Sequence, residues 1–226
     1  MTRVAITTDR HDSVAPEYIG FGLVPVPVPC VEVVAAGEEA LSRAREAVSD
    51  ADLVLITSAR TVDLLWPQGA MPGTGAVTVG AASAAAVEAA GGRVVLSGGS
   101  GLADLLDGAA HVLGGAGVVA FPHAAGTDPG LVARLRSLVS VLEEQEIYRA
   151  VPVGPEPTPV DAVVFASPSA VTGWLLTRDF VDVVVGVIGP TTQAAVARSR
   201  VPEVVAPEPS HHSLARALTS YLEVSV

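Results

Sequence analysis

The stretch Val183–Ala195, VVVGVIGPTTQAA, indicates the fold because it has the pattern of a strand that leads through a loop into a helix. Its apolar first half is typical of a buried parallel strand, and Gly189-Pro190 is a turn signal. Thr191 and Thr192 stand where the next helix is predicted to begin. Hydroxyls at that position can cap free N–H groups, or face an anion that those groups hold.

The same pattern occurs a second time, earlier in the chain. Val79–Val87 matches Ile188–Val196, and at the same offset Asp52–Val62 matches Asp161–Val171. The identical residues are few, but they fall at corresponding points of a strand-loop-helix unit. The sequence therefore predicts two related halves.

The composition excludes several classes of function. The chain has 226 residues and a formal net charge of −11, so it carries no basic footprint for nucleic acid. All thirteen basic residues are arginines, which excludes a Schiff-base lysine and a Walker A lysine. The single cysteine, Cys30, excludes an internal disulfide and a Cys-rich metal site. No apolar run approaches the ~18–20 residues of a membrane span, so we expect a cytoplasmic protein without a membrane partner.

Strands alternate with helices along most of the chain, which is typical of a parallel α/β sheet. Periodicity predicts strands at Leu53–Ile56 and Ala162–Phe165, and helices at Ser83–Ala90, Leu102–Leu106, Asp128–Glu144 and Thr192–Ser199. Residues 25–33, with alternating prolines, and 147–153 are predicted to be extended. Because each proline lacks the N–H that a ladder needs, residues 25–33 cannot form a central strand.

The final part of the chain has few strands of its own, so Val4–Thr7 is expected to complete its sheet. We therefore predict a discontinuous domain of residues 1–24 plus 154–226, and an inserted domain of residues 34–146. Residues 25–33 and 147–153 would form a two-stranded β-ladder between them. The predicted fold class is α/β, with two flavodoxin-like parallel-sheet domains of related architecture.

The candidate site follows from this topology, because ligands of open parallel sheets bind beyond the carboxyl ends of the strands. Small hydroxyl-bearing residues and arginines are concentrated there; taken singly, each hydroxyl is explained by plain helix capping. The residues at predicted strand ends are Thr7, Thr8, Arg10, Ser58, Arg60, Ser83, Pro122, His123, Ser167, Ser169, Thr191 and Thr192. Together they form a donor-rich lining suited to a polyanion.

Several short motifs, in this order and spacing, resemble the uroporphyrinogen-III synthase family. The motifs are ITSARTVDLL at Ile56–Leu65, VGAASAAAVEAAG at Val79–Gly91, EIYRAVPV at Glu146–Val153, VVFASPSAV at Val163–Val171, VIGPTTQAAV at Val187–Val196 and PSHHSLARAL at Pro209–Leu218. The resemblance implies two α/β domains with the substrate between them. It also implies a lyase of tetrapyrrole synthesis that cyclises linear hydroxymethylbilane to uroporphyrinogen III through a spiro intermediate, without a cofactor or metal.

Carried over by position, Tyr148 would assist departure of the substrate hydroxyl. The predicted substrate-binding residues are Thr8, Arg10, Ser58, Arg60, Ser83, Ser167, Ser169, Thr191 and Thr192. The expected partner is the small-molecule substrate alone, and the expected state is a monomer. The alternative is a non-catalytic hinge-type protein, or a degenerate homologue, that closes on an anionic metabolite.

Overall fold

The computed structural model describes residues 1–99 and 101–224, which form strands alternating with helices. The strands are β1 (Arg3–Ile6), β2 (Val24–Pro27), β3 (Val31–Ala35), β4 (Leu53–Ile56), β5 (Gly75–Val79), β6 (Arg93–Gly98), β7 (Val118–Ala124), β8 (Val141–Pro152), β9 (Ala162–Phe165), β10 (Val184–Val187) and β11 (Val204–Val205). The helices are α1 (His11–Ile19), α2 (Glu38–Asp50), α3 (Ala59–Leu65), α4 (Gly80–Ala89), α5 (Leu102–Gly114), α6 (Pro129–Leu138), α7 (Pro168–Leu175), α8 (Pro190–Val196) and α9 (His211–Val224). The predicted α/β class with parallel sheets is confirmed.

The chain divides into two compact units. Unit 1 comprises Met1–Val33 and Ala150–Val226, and unit 2 comprises Val34–Arg149. Unit 1 is therefore discontinuous in sequence, whereas unit 2 is one continuous segment.

The sheet of unit 1 has the strand order β11-β10-β9-β1-β2 in the described part of the chain. The pairs β1–β2, β1–β9, β9–β10 and β10–β11 are all parallel. Numbered by appearance within the unit, the order is 2-1-3-4-5, that of flavodoxin-like sheets. The sheet is buried on both faces, because Val4 and Ile6 pack in one apolar cluster and Ala5 packs in another. As predicted, Val4–Ile6 completes the sheet of the C-terminal part.

The sheet of unit 2 has the strand order β3-β8-β7-β4-β5-β6 among the described residues. Within it, β4 pairs in parallel with β5 and β7, β5 with β6, and β7 with β8. The strands that the sequence repeat matches, β4 with β9 and β5 with β10, have equivalent neighbours in the two sheets. On this correspondence β7 and β8 take the places of β1 and β2. The two units thus share one spatial order, reached by circularly permuted chain orders.

The predicted ladder of residues 25–33 with 147–153 is shifted along its first strand, because β3 is the neighbour of β8 in the sheet order and residues 25–27 lie outside the ladder. Residues 24–27 pair with β1 as an edge strand, which suits prolines because an edge need not donate on its outer side. At the other end, residues 147 and 148 belong to β8, whose Tyr148 pairs with Ala124 of β7. The connecting strands are held at both ends, by Ala36 N–H donating to Ile147 O at 2.8 Å and Val153 N–H donating to Cys30 O at 3.0 Å.

The helix predicted over Asp128–Glu144 is wrong at its end. It stops at Leu138, and β8 begins at Val141, six residues earlier than the strand predicted from Ile147. Val139 adopts extended dihedrals (φ −120°, ψ 154°), which suit a β-branched residue. Pairing with β7 over Val141–Tyr148 then outweighs the helix propensity of the glutamates.

The short helix predicted over Leu102–Leu106 is also wrong in length, since α5 continues to Gly114. Leu105, Leu106, Ala109 and Leu113 recur at helical spacing and are buried. This apolar stripe carries the helix through Gly108, despite the poor helix propensity of glycine.

Candidate functional site: the carboxyl ends of the two sheets

Tyr148 lies in unit 2 near the carboxyl end of β7, where it pairs with Ala124. Its carbonyl accepts a hydrogen bond of 2.7 Å from Ala125 N–H. The half-buried side chain packs against the apolar cluster that includes Ile147. It also lines a pocket of about 290 Å³, whose lining is Val34, Ala35, Ala36, Ala125, Glu146, Tyr148 and Arg149. The predicted catalytic tyrosine therefore lies in a pocket rather than on an open ribbon.

Arg60 and Ser58 lie at the start of α3, directly after β4 of the same unit. Ser58 is the N-cap, and its hydroxyl accepts a bond of 3.3 Å from Arg60 N–H. The guanidinium of Arg60 lies 5.9 Å from the ring centroid of Tyr148, within cation–π range. Three residues singled out from sequence are thus brought to the same end of one sheet.

Ser83 does not begin a helix, contrary to prediction. α4 starts at Gly80, whose φ of +70° favours glycine, so Ser83 lies in the second turn with only 4% of its surface exposed. The Ala-rich sequence propagates the helix back to that glycine. Ser83 is therefore a buried helix residue and not a cap.

Thr8 and Arg10 follow β1 in unit 1. The hydroxyl of Thr8 accepts a bond of 3.3 Å from Arg10 N–H, and both residues are partly exposed. The neighbouring Thr7 is buried and donates to Val164 O at 2.7 Å, so it fastens β1 to β9. Thr8 and Arg10 are thus more exposed than Thr7, with Asp9 exposed between them.

Ser167 and Ser169 follow β9, the neighbour of β1. Ser167 is the N-cap of α7, and its hydroxyl accepts a bond of 3.2 Å from Ala170 N–H. Ser169 lies in the first turn and is partly exposed. Because the hydroxyl of Ser167 is engaged in the cap, its role is structural. The hydroxyl of Ser169 is the one more available to a ligand.

Thr191 and Thr192 do not cap α8, and they do not act as a pair. Pro190 is the first helical residue and Gly189 is the N-cap, because proline is favoured in the first turn. Thr192 is 3% exposed, whereas Thr191 is exposed in a groove of about 560 Å³ between α7 and α8. Adjacent helix residues point in different directions, which separates the two hydroxyls.

Pro122 and His123 were expected beyond a strand but lie within β7. His123 is buried and stacked on Phe121, and its Nδ1 lies 2.9 Å from Ala124 O. Nε2 lies 3.3 Å from the carboxylate of Glu144. His123 is thus a structural residue of the sheet.

Tyr18 and His211 form a buried pair that fastens α1 to α9. The Tyr18 hydroxyl lies 2.9 Å from His211 Nδ1. Burial, reinforced by the charge of Glu17, raises the pKa of Tyr18 far above its ordinary value. Burial lowers the pKa of His211, and there Glu17 acts in the opposite direction. The phenol therefore donates to a neutral imidazole.

Cys30 is fully buried, and burial raises the pKa of its thiol to about 12. A thiol that keeps its proton is neither a nucleophile nor a metal ligand. Among residues 1–99 and 101–224, no three His, Cys, Asp or Glu side chains are grouped closely enough to hold a metal ion. Within the same ranges, no helix has the length and apolar character that crossing a membrane requires.

Glu146 and Arg149 were missed by the sequence reasoning, although both line the pocket of Tyr148. The helix predicted through Glu144 obscured the start of β8. Residues 141–146 read VLEEQE, without alternation of apolar and polar residues, so no local signal marks this strand in the sequence.

These observations define an α/β protein of two parallel-sheet units, with donor-bearing loops at the carboxyl ends of the strands. The sequence model of the family described as uroporphyrinogen-III synthase HemD matches residues 12–216. The chain belongs to this family, so the resemblance predicted from its motifs is confirmed. The family is one of enzymes of tetrapyrrole synthesis.

Solved structures show the same fold. The chain is similar to uroporphyrinogen-III synthetase from Helicobacter pylori 26695, with a TM-score of 0.69 and 14% identity over 100% of this chain and 99% of that one. It is also similar to a mutant uroporphyrinogen III synthase from the extremely thermophilic bacterium Thermus thermophilus, with a TM-score of 0.62 and 19% identity over 99% and 100% of the two chains. No curated protein is similar enough in sequence to count as a match.

Proposed function

We propose that the protein cyclises linear hydroxymethylbilane to uroporphyrinogen III, with loss of water and inversion of the last pyrrole ring through a spiro intermediate. Such a reaction makes it a lyase. The observation that carries the proposal is the placement of Tyr148, the residue matched to the family's tyrosine, in a pocket beside Arg60 in a chain of this family.

Tyr148 acts as the proton donor to the departing hydroxyl. Its phenol lines the pocket, and the cation–π contact with Arg60 restrains its ring. Loss of hydroxide from the substrate leaves a cationic azafulvene, so a donor fixed on the leaving oxygen lowers the barrier.

The hydroxyls and arginines at the strand ends hold the substrate's acetate and propionate carboxylates. In unit 2 this is Arg60, and in unit 1 they are Thr8, Arg10, Ser169 and Thr191. Ser83 and Thr192 are buried, and Ser58 and Ser167 are engaged as caps, so these four support the same loops from within. The substrate can close unaided to the type I isomer, so the enzyme's main task is to fix one geometry of the reacting ends.

The reaction is tested by incubating the protein with hydroxymethylbilane, oxidising the product and separating the porphyrin isomers. The expected product is the type III isomer, formed faster than the unaided closure. Only the type I isomer, in the amount seen without protein, would contradict the proposal and favour a non-catalytic binding protein.

The tyrosine is tested by Tyr148→Phe, which keeps the ring and its contacts but removes the proton donor. We expect kcat to fall at least about 100-fold with the fold intact, a typical loss for general acid catalysis. The matched control is Tyr221→Phe on α9, which removes a phenol far in sequence from any predicted site residue and should retain wild-type kcat. Wild-type activity of Tyr148→Phe would remove this tyrosine from the mechanism.

A further inference from the structure

The pocket of Tyr148 also contains a carboxylate, that of Glu146. Four residues of the lining are apolar. They lie in β3 or directly after β3 and β7, and they are Val34, Ala35, Ala36 and Ala125. The charged residues of the lining are Glu146 and Arg149, which flank Tyr148 on β8. One wall therefore presents a carboxylate, a phenol and a guanidinium in sequence.

The pairing of β8 with β7 is irregular between Glu146 and Tyr148, two residues that both line the pocket. His123 pairs with Glu146, and the next residue, Ala124, pairs with Tyr148, so Ile147 is an extra residue in β8. Such β-bulges re-aim side chains and are frequent beside active sites. Residues two apart on a strand are separated by at most about 7 Å, so both side chains can contact one bound ring with its substituents.

A carboxylate at this position is unfavourable for binding a polyanionic substrate. The chain already has a net charge of −11, and Glu146 adds a further repulsion inside the pocket itself. The charge of the reacting ring, however, changes sign during the reaction. A neutral pyrrole becomes a cation when its hydroxyl leaves, and a fixed carboxylate then attracts it.

We propose that Glu146 is a second catalytic residue, which stabilises the azafulvenium cation formed when Tyr148 protonates the leaving hydroxyl. The inference rests on the proposed function. Arg149, on the other side of Tyr148, binds one of the carboxylates of the same ring.

The step is balanced in atoms and charge. The C–O bond breaks heterolytically, its electron pair leaves with the oxygen, and the phenol proton of Tyr148 completes a molecule of water. The pyrrole becomes the cation that faces Glu146, and Tyr148 becomes a phenolate. A ring carbon that already carries a methylene bridge bonds to the cation and gives the spiro intermediate. Its older C–C bond then breaks, with the electron pair returning to that ring, which leaves a second azafulvenium cation on the neighbouring pyrrole. The free α-carbon of the inverted ring then bonds to this second cation. The proton lost on rearomatisation returns to the phenolate, so the net change is loss of water.

The decisive variant is Glu146→Gln, which removes the charge and keeps the shape. We expect kcat to fall about 10-fold to 100-fold, less than for a fully enclosed electrostatic group because the pocket is open to water. We expect KM to fall about threefold, because a repulsion with the substrate's carboxylates is removed. A merely structural residue would not lower kcat and KM together in this way.

The matched control is Glu143→Gln, which removes the same charge from an exposed position of β8 that does not line the pocket. It should leave kcat within twofold of the wild type. Circular dichroism and the Tm of each variant check folding, and Glu146→Ala serves as a second variant with the same expected direction in kcat.

The outcomes are distinguishable. A wild-type protein that forms the type III isomer, combined with unchanged kcat in both Glu146 variants, overturns the role of Glu146 and leaves the proposed function standing. A lower kcat with a raised KM or a lowered Tm indicates a structural role and also overturns it. An equal loss in Glu143→Gln would show that the effect comes from net charge alone, which overturns the assignment to Glu146. A wild-type protein without type III activity refutes the proposed function itself.

Discussion

Helix α7 packs closely against the backbone at Cys30. One methyl group added to the helix there is therefore predicted to lower the free energy of unfolding substantially. A Cβ on Gly173 would stand well inside contact distance of Cys30 O, and 2.8 Å from Val153 O. Both neighbours are backbone atoms, and the hydrogen bond from Val153 N–H to Cys30 O holds them in place. Gly173→Ala therefore requires α7 to move.

The magnitude follows from two opposing effects. Overpacking of this kind costs about 3 kcal/mol, while alanine gains about 1 kcal/mol over glycine within a helix. We expect a net loss of about 2 kcal/mol in the free energy of unfolding of unit 1. For a chain of this length that loss corresponds to a decrease of about 4–8 °C in Tm.

The matched control is Gly108→Ala in the interior of α5, where an added Cβ has no atom within 4 Å. Only the difference in helix propensity between glycine and alanine applies there, so the free energy of unfolding of this variant should rise by about 1 kcal/mol. The assay is urea unfolding followed by tryptophan fluorescence, with Trp174 reporting on unit 1 and Trp66 on unit 2, each measured in a background where the other is phenylalanine. Equal stability of Gly173→Ala and the wild type, or the same sign of change in both variants, would refute the reasoning.

Two further predictions concern unit 1. Ser167→Ala removes the N-cap of α7 and should lower the free energy of unfolding by about 1 kcal/mol. Ser169→Ala, which removes no cap, should lower it by less than half of that. Urea titrations compare the two variants, and equal losses would contradict the capping role of Ser167. Burial lowers the pKa of His211 in the folded state, so the unfolded chain binds the proton first as the pH falls below about 6.5, and stability should fall as the pH falls from 7 to 5. His211→Gln should flatten this dependence and the exposed His111→Gln should not; an unchanged slope in His211→Gln would show that the Tyr18 pair is not its source.

The strands that are buried on both faces could be predicted from sequence alone. β4 and β9 have the predicted bounds, because runs such as Leu53–Ile56 and Ala162–Phe165 are continuous, apolar and flanked by polar turns. Tyr148, Ser58 and Arg60 were found through motifs whose spacing follows these strands. The structure places them at one sheet end, as the topology rule requires.

The errors arise where local propensity and long-range pairing disagree. The glutamates before Tyr148 favour a helix locally, but pairing with β7 makes them a strand, and that partner is not visible in the local sequence. Thr191 and Ser83 were given capping roles because hydroxyls favour helix starts. A proline and a glycine begin those helices earlier, which moves both hydroxyls into the helix.

The permuted strand orders have a consequence for how the protein folds as it is synthesised. Strands β4 to β8 come from one continuous segment, so unit 2 has its sheet partners as soon as that segment has left the ribosome. β1 is made first but lies between β2 and β9, and β9 is made after all of unit 2. Strand β1, with its apolar Val4, Ala5 and Ile6, therefore has one edge unpaired until β9 has been made. We expect unit 2 to fold first, and the earliest-made strand of the chain to be among the last to reach its final place.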